Sequence, residues 1–365
     1  MKRLIAGTFV VLIPLTAVAQ QPQIQNGRVE TRQVSSIDKD VTALGATSTD
    51  PIWVAWREPM IDGRRNMCSW YSDDTYPNGI RGNVLEQFNS VDVNGNFKPP
   101  QITPPTGPVP LEGGTTLVIM ARIVNSRVER MRTFSDDCPL DANGRTVYML
   151  TGVSVADSLK FLETLTHPDY STMIRSGADG LVSSAVSAIG LHRGPEADAI
   201  LDRLATDSDS NVRRQAIGQL ADARTAHGFE TLKRLLDTEK SVDVRRSLAN
   251  AIARTRQPQT ADLLLGLAHN DADEQVRGDA AYNLAARGGE RMVPEIVKIA
   301  NTDGSTNVRQ RAISGLGTLP PDISLPPLMQ LARDGHDMNV RKQAIQQLGH
   351  SKDPRAAAFL QELLK

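Results

Sequence analysis

The sequence has no surplus of basic residues, since 41 Lys and Arg stand against 42 Asp and Glu. A polyanion partner normally leaves a basic excess or patch, so nucleic-acid binding is disfavoured from the start. No Gly-x-x-x-x-Gly-Lys, Gly-x-Gly-x-x-Gly or Gly-x-Ser-x-Gly run occurs, which removes the common phosphate-cradling loops and the nucleophile elbow. The six histidines, His167, His192, His227, His269, His336 and His350, show no close ligand spacing, so neither a metal nor a cofactor is expected. There are only two cysteines, Cys68 and Cys138. Beyond residue 19 no segment is apolar enough to span a bilayer.

The one long apolar run lies at the start. Met1-Lys2-Arg3, the stretch Leu4 to Leu15 and then Ala17-Val18-Ala19 have the charged, hydrophobic and small-residue parts of a secretory signal peptide. The run is too short for a membrane anchor and contains Pro14. Cleavage after Ala19 removes Lys2 and Arg3, taking the 41 bases to 39 against 42 acids and the net charge to −3. The expected location is periplasmic or secreted.

What the chain has in abundance is repetition. Val-Arg recurs at Val212-Arg213, Val244-Arg245, Val276-Arg277, Val308-Arg309 and Val340-Arg341, each 32 residues after the last. Four residues past the Val stand Ala216, Leu248, Ala280, Ala312 and Ala344, and eight past it Leu220, Ile252, Leu284, Leu316 and Leu348. That spacing makes one apolar face of a first helix. A second helix carries Leu232, Leu264, Ile296, Leu328 and Leu360, with Leu235, Leu267, Ile299, Leu331 and Leu363 three residues on. Three residues before each Val, Asp209, Ser241, Asp273, Ser305 and Asp337 are of the types that cap a helix start. Such units cannot bury a core alone and must stack, so the pattern predicts an α-solenoid with one continuous apolar seam.

Six residues before each Arg lies Asp207, Glu239, Asp271, Asp303 or, in the last unit, Gly335. Acid and guanidinium in register predict a structural ladder of Asp207, Arg213, Glu239, Arg245, Asp271, Arg277, Asp303 and Arg309. Arg341, facing Gly335, is left open for a ligand or a carbonyl. With these residues the array resembles HEAT repeats, in the short form first associated with phycobilisome lyases, over residues 176 to 365. A degenerate first unit, Leu181 to Leu204, makes about six. The resemblance implies helix pairs whose second helices line a concave surface and whose common use is protein recognition. On that implication the candidate binding residues are Arg234, Lys298 and Gln330 in one column and Asp237, His269, Asn301 and Arg333 in another. Lys365 falls in the second of these columns, and Arg341 joins the set from the ladder. The neighbouring Leu265, Val297 and Met329 read as core first and a groove floor second.

The first half is organised differently. After a mobile polar lead-in over residues 20 to 26, residues 27 to 152 read as a small α+β domain. Its expected parts are a strand from Arg28, a short helix between Ser35 and Ala46, and a buried strand from Ile52 to Arg57. A possible strand at 83 to 88 precedes a loop from Pro99 to Pro110. A hairpin then turns at Asn125-Ser126, and a last strand runs from Thr146. Residues 153 to 175, with a helix capped by Ser154, bridge to the solenoid. In an exported chain, Cys68 and Cys138 are expected to form a disulfide, worth about 4 kcal/mol on the chain-entropy model. A reactive thiol at Cys68 is the competing reading, and this domain has no His to activate it.

The function expected is that of a non-enzymatic scaffold or adaptor binding another protein or peptide of the cell envelope. Two alternatives stand beside it. A lyase-like enzyme follows from the resemblance, although export and the shortage of rings after residue 180 (Phe229, Tyr282, Phe359) speak against it. A glycan binder would use Trp53, Trp56 and Trp70 as stacking platforms.

Overall fold

Ile52 to Trp56 is an unbroken apolar run, and it forms the middle strand of a five-stranded mixed sheet. A computed structural model describes residues 23–34, 36–63, 67–71, 80–87, 101–103, 114–169 and 175–364. The expected signal peptide lies outside them, as do the loop from Pro99 apart from 101–103 and Lys365.

The strands of the sheet are β2 (Arg28–Gln33), β3 (Ile52–Pro59), β7 (Thr116–Val124), β8 (Arg127–Ser135) and β10 (Thr146–Thr151), in the order β2-β10-β3-β7-β8. β10 pairs in parallel with both β2 and β3, while β3, β7 and β8 run antiparallel. The β7–β8 turn at Asn125 and Ser126 has φ of 50° and 61°, the mirror-image turn whose twist suits a two-residue hairpin. Because side chains alternate across a strand, Ile52, Val54 and Trp56 face one side and Trp53 and Ala55 the other. Both sides are buried, which is why β3 reads as a continuous apolar run.

On the Trp53 side lie short strands, of which the sequence announced only the one beginning at Asn83. β1 (Ile24–Gln25), β9 (Leu140–Asp141) and β6 (Asn83–Val84) make a parallel trio, and β4 (Trp70–Tyr71) pairs with β5 (Ile80–Arg81). The lead-in therefore includes a strand at Ile24–Gln25, and the strand expected over 83 to 88 is confined to two residues. A disulfide between Cys68 and Cys138 pins this layer, with Cα atoms 5.3 Å apart.

On the Trp56 side pack α1 (Ile37–Thr47), α2 (Val155–Thr164) and α3 (Arg175–Leu191). Ser154 caps α2 by accepting the Asp157 N–H. Trp56 meets Phe161 of α2 edge-on, ring centroids 5.7 Å apart. The end of β3 is also stitched to the end of α3, since Ile61 N donates to Leu191 O (2.8 Å) and Arg193 N to Pro59 O (2.9 Å). The first repeat is thus sealed on the sheet, which accounts for its departure from the consensus of the others.

Six helix pairs follow one another: α3 with α4 (Pro195–Leu204), α5 (Ser210–Asp222) with α6 (Thr225–Thr238), α7 (Val242–Thr255) with α8 (Thr260–Asn270), α9 (Glu274–Gly288) with α10 (Val293–Thr302), α11 (Thr306–Leu316) with α12 (Pro321–Asp334), and α13 (Met338–His350) with α14 (Pro354–Leu363). The columns at four and eight past the Val are buried throughout. Asp209, Asp273 and Asp337 cap their helices through side-chain oxygens, whereas Ser241 and Ser305 do not. Ser305 instead donates its hydroxyl to Glu274 at 2.6 Å, which turns its oxygen away.

The expected single seam is two apolar clusters, one from Val34 to Ile252 and one from Ala253 to Phe359, meeting at α7. Leu267 touches both.

Candidate functional site

The ladder exists, but its pairing differs from the one the spacing suggested. Each acid folds its own turn: Asp207 accepts the Asp209 N–H (2.8 Å), Glu239 that of Ser241 (2.7 Å), Asp271 that of Asp273 (2.9 Å) and Asp303 that of Ser305 (2.8 Å). The Arg six residues on reaches the backbone instead, as Arg213 does to Asp207 O, Arg277 to Asp271 O and Arg309 to Asp303 O. Its carboxylate partner belongs to the following repeat. Arg245 grips Asp271 with two bonds of 3.1 Å, and Arg277 grips Asp303 at 3.0 and 3.2 Å. Arg309 takes Asp337 at 2.8 Å, so the capping residue replaces the acid missing at Gly335. A Cβ at Gly335 would lie 2.4 Å from Leu331 O, which is why a side chain is absent there.

Two positions break the pattern. Among the described residues no ion pair joins Arg213 to Glu239, and a crevice of about 390 Å³ opens between them, floored by Ile217, Leu235, Val244 and Leu248. Arg341 is exposed, with only the Gly335 carbonyl at 3.3 Å.

The candidate columns on the second helices lie on the surface, each residue on its own helix. Arg234, Lys298, Gln330, Asp237, His269 and Arg333 are exposed and Asn301 is half-buried. Several are tied to acids nearby: Arg234 to Asp202, Lys298 and His269 to Glu295, and Arg333 to Glu362. Leu265, Val297 and Met329 are half-buried, packed against the second apolar cluster.

A more closely knit group was missed, and it lies on the Val-Arg helices. Asp279 of α9, 8% exposed in its side chain, receives Arg246 Nε from α7 (2.9 Å) and Arg311 Nη2 from α11 (2.6 Å). The Arg311 guanidinium also lies 4.7 Å over the Tyr282 ring. Asn283 Nδ2 donates to Asn250 Oδ1 at 2.8 Å and to Asp279 O at 2.9 Å. These helices approach closely: a Cβ at Gly315 would stand 2.9 Å from Tyr282 O. Asp279 and Arg311 escaped notice because position three past the Val holds no constant charge or residue type. It reads Gln215, Ser247, Asp279, Arg311, Gln343.

The junction of sheet and solenoid holds a buried polar chain. Trp56 Nε1 donates to Ser158 Oγ (2.7 Å), and Ser158 Oγ lies 2.9 Å from His192 Nε2. His192 Nδ1 is 2.7 Å from Ala188 O, an acceptor, so Nδ1 carries the proton and Nε2 accepts from the serine. Burial, joined by Arg224 nearby, brings the imidazole down to about 4. Glu58, 2% exposed, is pushed up to about 7 chiefly by burial, with the charge of Asp157 adding to the rise. Ser158 and His192 are both fully buried, so this serine–histidine contact is closed to substrate.

The tryptophan platform proposed for glycans is not available in the form expected. Trp53 and Trp56 are fully buried, Trp53 with its Nε1 on Glu86 at 2.7 Å, and the Trp70 side chain lies outside the described residues. The disulfide leaves Cys68 no thiol to react. Among the described residues no group of three His, Cys, Asp or Glu is placed to hold a metal, and no helix is long and apolar enough to cross a membrane.

Residues 197–285 and 293–365 match the family model of HEAT repeats. No curated protein matches the chain. Among solved structures, human deoxyhypusine hydroxylase in complex with glycerol is similar at 14% identity over 56% of this chain and 90% of that one, with a TM-score of 0.30. The complex of CpcE and CpcF of phycocyanin lyase from a Nostoc species aligns at 16% identity over 57% and 83%, with a TM-score of 0.30. An engineered protein aligns at 20% identity over 57% and 64%, with a TM-score of 0.29.

Proposed function

We propose that this HEAT-repeat chain is an exported, non-enzymatic scaffold whose repeat array binds another protein of the cell envelope. The observation that carries the reading is the array itself. Six helix pairs stacked in register present their polar faces to water, while Ser158 and His192 lie closed in the core and Cys68 is held in a disulfide. Arrays of this kind serve recognition because a rigid, extended face can engage a partner over many repeats. The sheet domain acts as the cap for one end of the stack, through the seam between β3 and α3.

Photo-crosslinking side chains placed at Arg214 and Lys342 on the Val-Arg helices, and at Arg234 and Lys298 on the second helices, test the reading in intact cells. The expected result is one protein captured from one of the two surfaces, in the periplasmic or secreted fraction, by a chain beginning at Gln20. Retention of residues 1–19 in the cytoplasm, or no specific adduct from either surface, would overturn it.

A further inference from the structure

The geometry points to a carboxylate-binding site on the face of α7, α9 and α11, formed by Arg246 and Arg311 and oriented by Asp279, that takes an acidic side chain of an extended peptide segment. It rests on the scaffold reading and names the chemistry of the partner. Each guanidinium is tethered by a single N–H to Asp279, at 2.9 Å for Arg246 Nε and 2.6 Å for Arg311 Nη2. Nη1 and Nη2 of Arg246, and Nε and Nη1 of Arg311, have no partner among the described residues. Both side chains are partly in water, 37% and 41% exposed, while Asp279 beneath them is 8% exposed.

That arrangement is an oriented receptor. Arg311 is held on three sides, by Asp279, by the Tyr282 ring and by Gly278, whose bare backbone lets the Arg311 stem lie against α9; a Cβ there would be 3.2 Å from Arg311 Cγ. A fork fixed before binding loses less freedom when it meets a carboxylate, whose two oxygens match its planar N–H groups. Two cations on one anion leave a single positive charge, which suits a monoanionic carboxylate better than a phosphate dianion. Asn250 Nδ2 and Asn283 Oδ1, beside the site, have no partner among the described residues, and one donor with one acceptor is what a peptide unit requires.

Fluorescence anisotropy of a labelled hexaglutamate peptide with the full mature chain tests the site, against hexaglutamine and hexalysine and with inorganic phosphate and acetate as competitors. Hexaglutamate is expected to bind at least tenfold more tightly than either control. Arg246→Gln and Arg311→Gln are each expected to weaken it about tenfold in chains that stay folded at the assay temperature, while Arg127→Gln, exposed on β8 of the sheet, changes it less than twofold. Arg311→Lys serves where Arg311→Gln does not fold, and it keeps the charge but loses the fork, so binding should still drop. Equal binding of hexaglutamate and hexaglutamine, displacement by phosphate at lower concentration than by acetate, or indifference to Arg246→Gln would overturn the proposal. If the peptide fails to bind while crosslinks from the array still capture one envelope protein, this site falls and the scaffold reading stands.

Discussion

Replacing Glu58 by Gln should raise the pH at which the protein remains well folded, because this side chain carries a carboxyl into a place that resists its charge. Burial is the main cause of its rise from 4.5 to about 7. A folded-state value above the unfolded one means that the folded chain holds more protons between pH 4.5 and 7, so wild-type stability declines across that window and levels off above it. At about 1.4 kcal/mol per pH unit the displacement corresponds to roughly 3 kcal/mol, which residual solvent screening brings to about 2 kcal/mol. Glu58→Gln has the neutral shape at every pH and escapes that loss. Urea unfolding followed by tryptophan emission at pH 5 and pH 8 reads the effect, since Trp53 and Trp56 are buried in the same sheet. The stability of the variant relative to wild type should increase by about 2 kcal/mol from the lower pH to the higher. A difference that is constant with pH, or one that moves in the opposite direction, would refute the reasoning.

Three further outcomes follow from side chains already described. Arg277→Ala should cost about 1–2 kcal/mol in denaturant unfolding, because it removes two bonds to Asp303 of the next repeat and those to Asp271 O and Ala272 O of its own turn, whereas Arg341→Ala should stay within about 0.5 kcal/mol. Arg287→Met should leave stability unchanged or raise it by about 1 kcal/mol, since the Arg287 Nε is buried without a partner and the guanidinium is held below its ordinary value by burial and by Arg256. A measured loss above about 1 kcal/mol would contradict that expectation. Cys68→Ser with Cys138→Ser should lower sheet stability by up to about 4 kcal/mol while far-UV helix content persists, as read by melting at two wavelengths; parallel loss of both signals would show that the halves are not separable.

The repeat array was readable because each of its apolar columns recurs at one step, and Ala280, Leu284 and Ile296 are buried where that step places them. The ladder was misread for a geometric reason. Asp271 is six residues from Arg277 along the chain, but Asp303, 26 residues away, is the carboxylate the Arg277 guanidinium reaches in space. Periodicity could not reveal Asp279 between Arg246 and Arg311, since Asp279 and Arg311 each occur once in a shared column and Arg246 recurs in its own only as Arg214. The strands of the first half were mostly visible as runs, yet their order was not, because parallel neighbours such as β2 and β10 are paired by no local turn. Trp56 was legible as core, because it lies in the apolar run from Ile52 to Arg57 that reads as a buried strand, and its full burial leaves no place for the alternative of a stacking platform there.

β10 is the last strand to leave the ribosome and one of the inner ones, seated between β2 and β3. No earlier segment can take that slot, so the amino-terminal half must wait, unlatched, until Thr151 has been translated. Long-range strand pairing of this kind is slow. The helix pairs downstream need only the preceding layer, and can assemble as they emerge. On the export route proposed above, a sheet that cannot close early would keep the leading segment threadable during passage across a membrane.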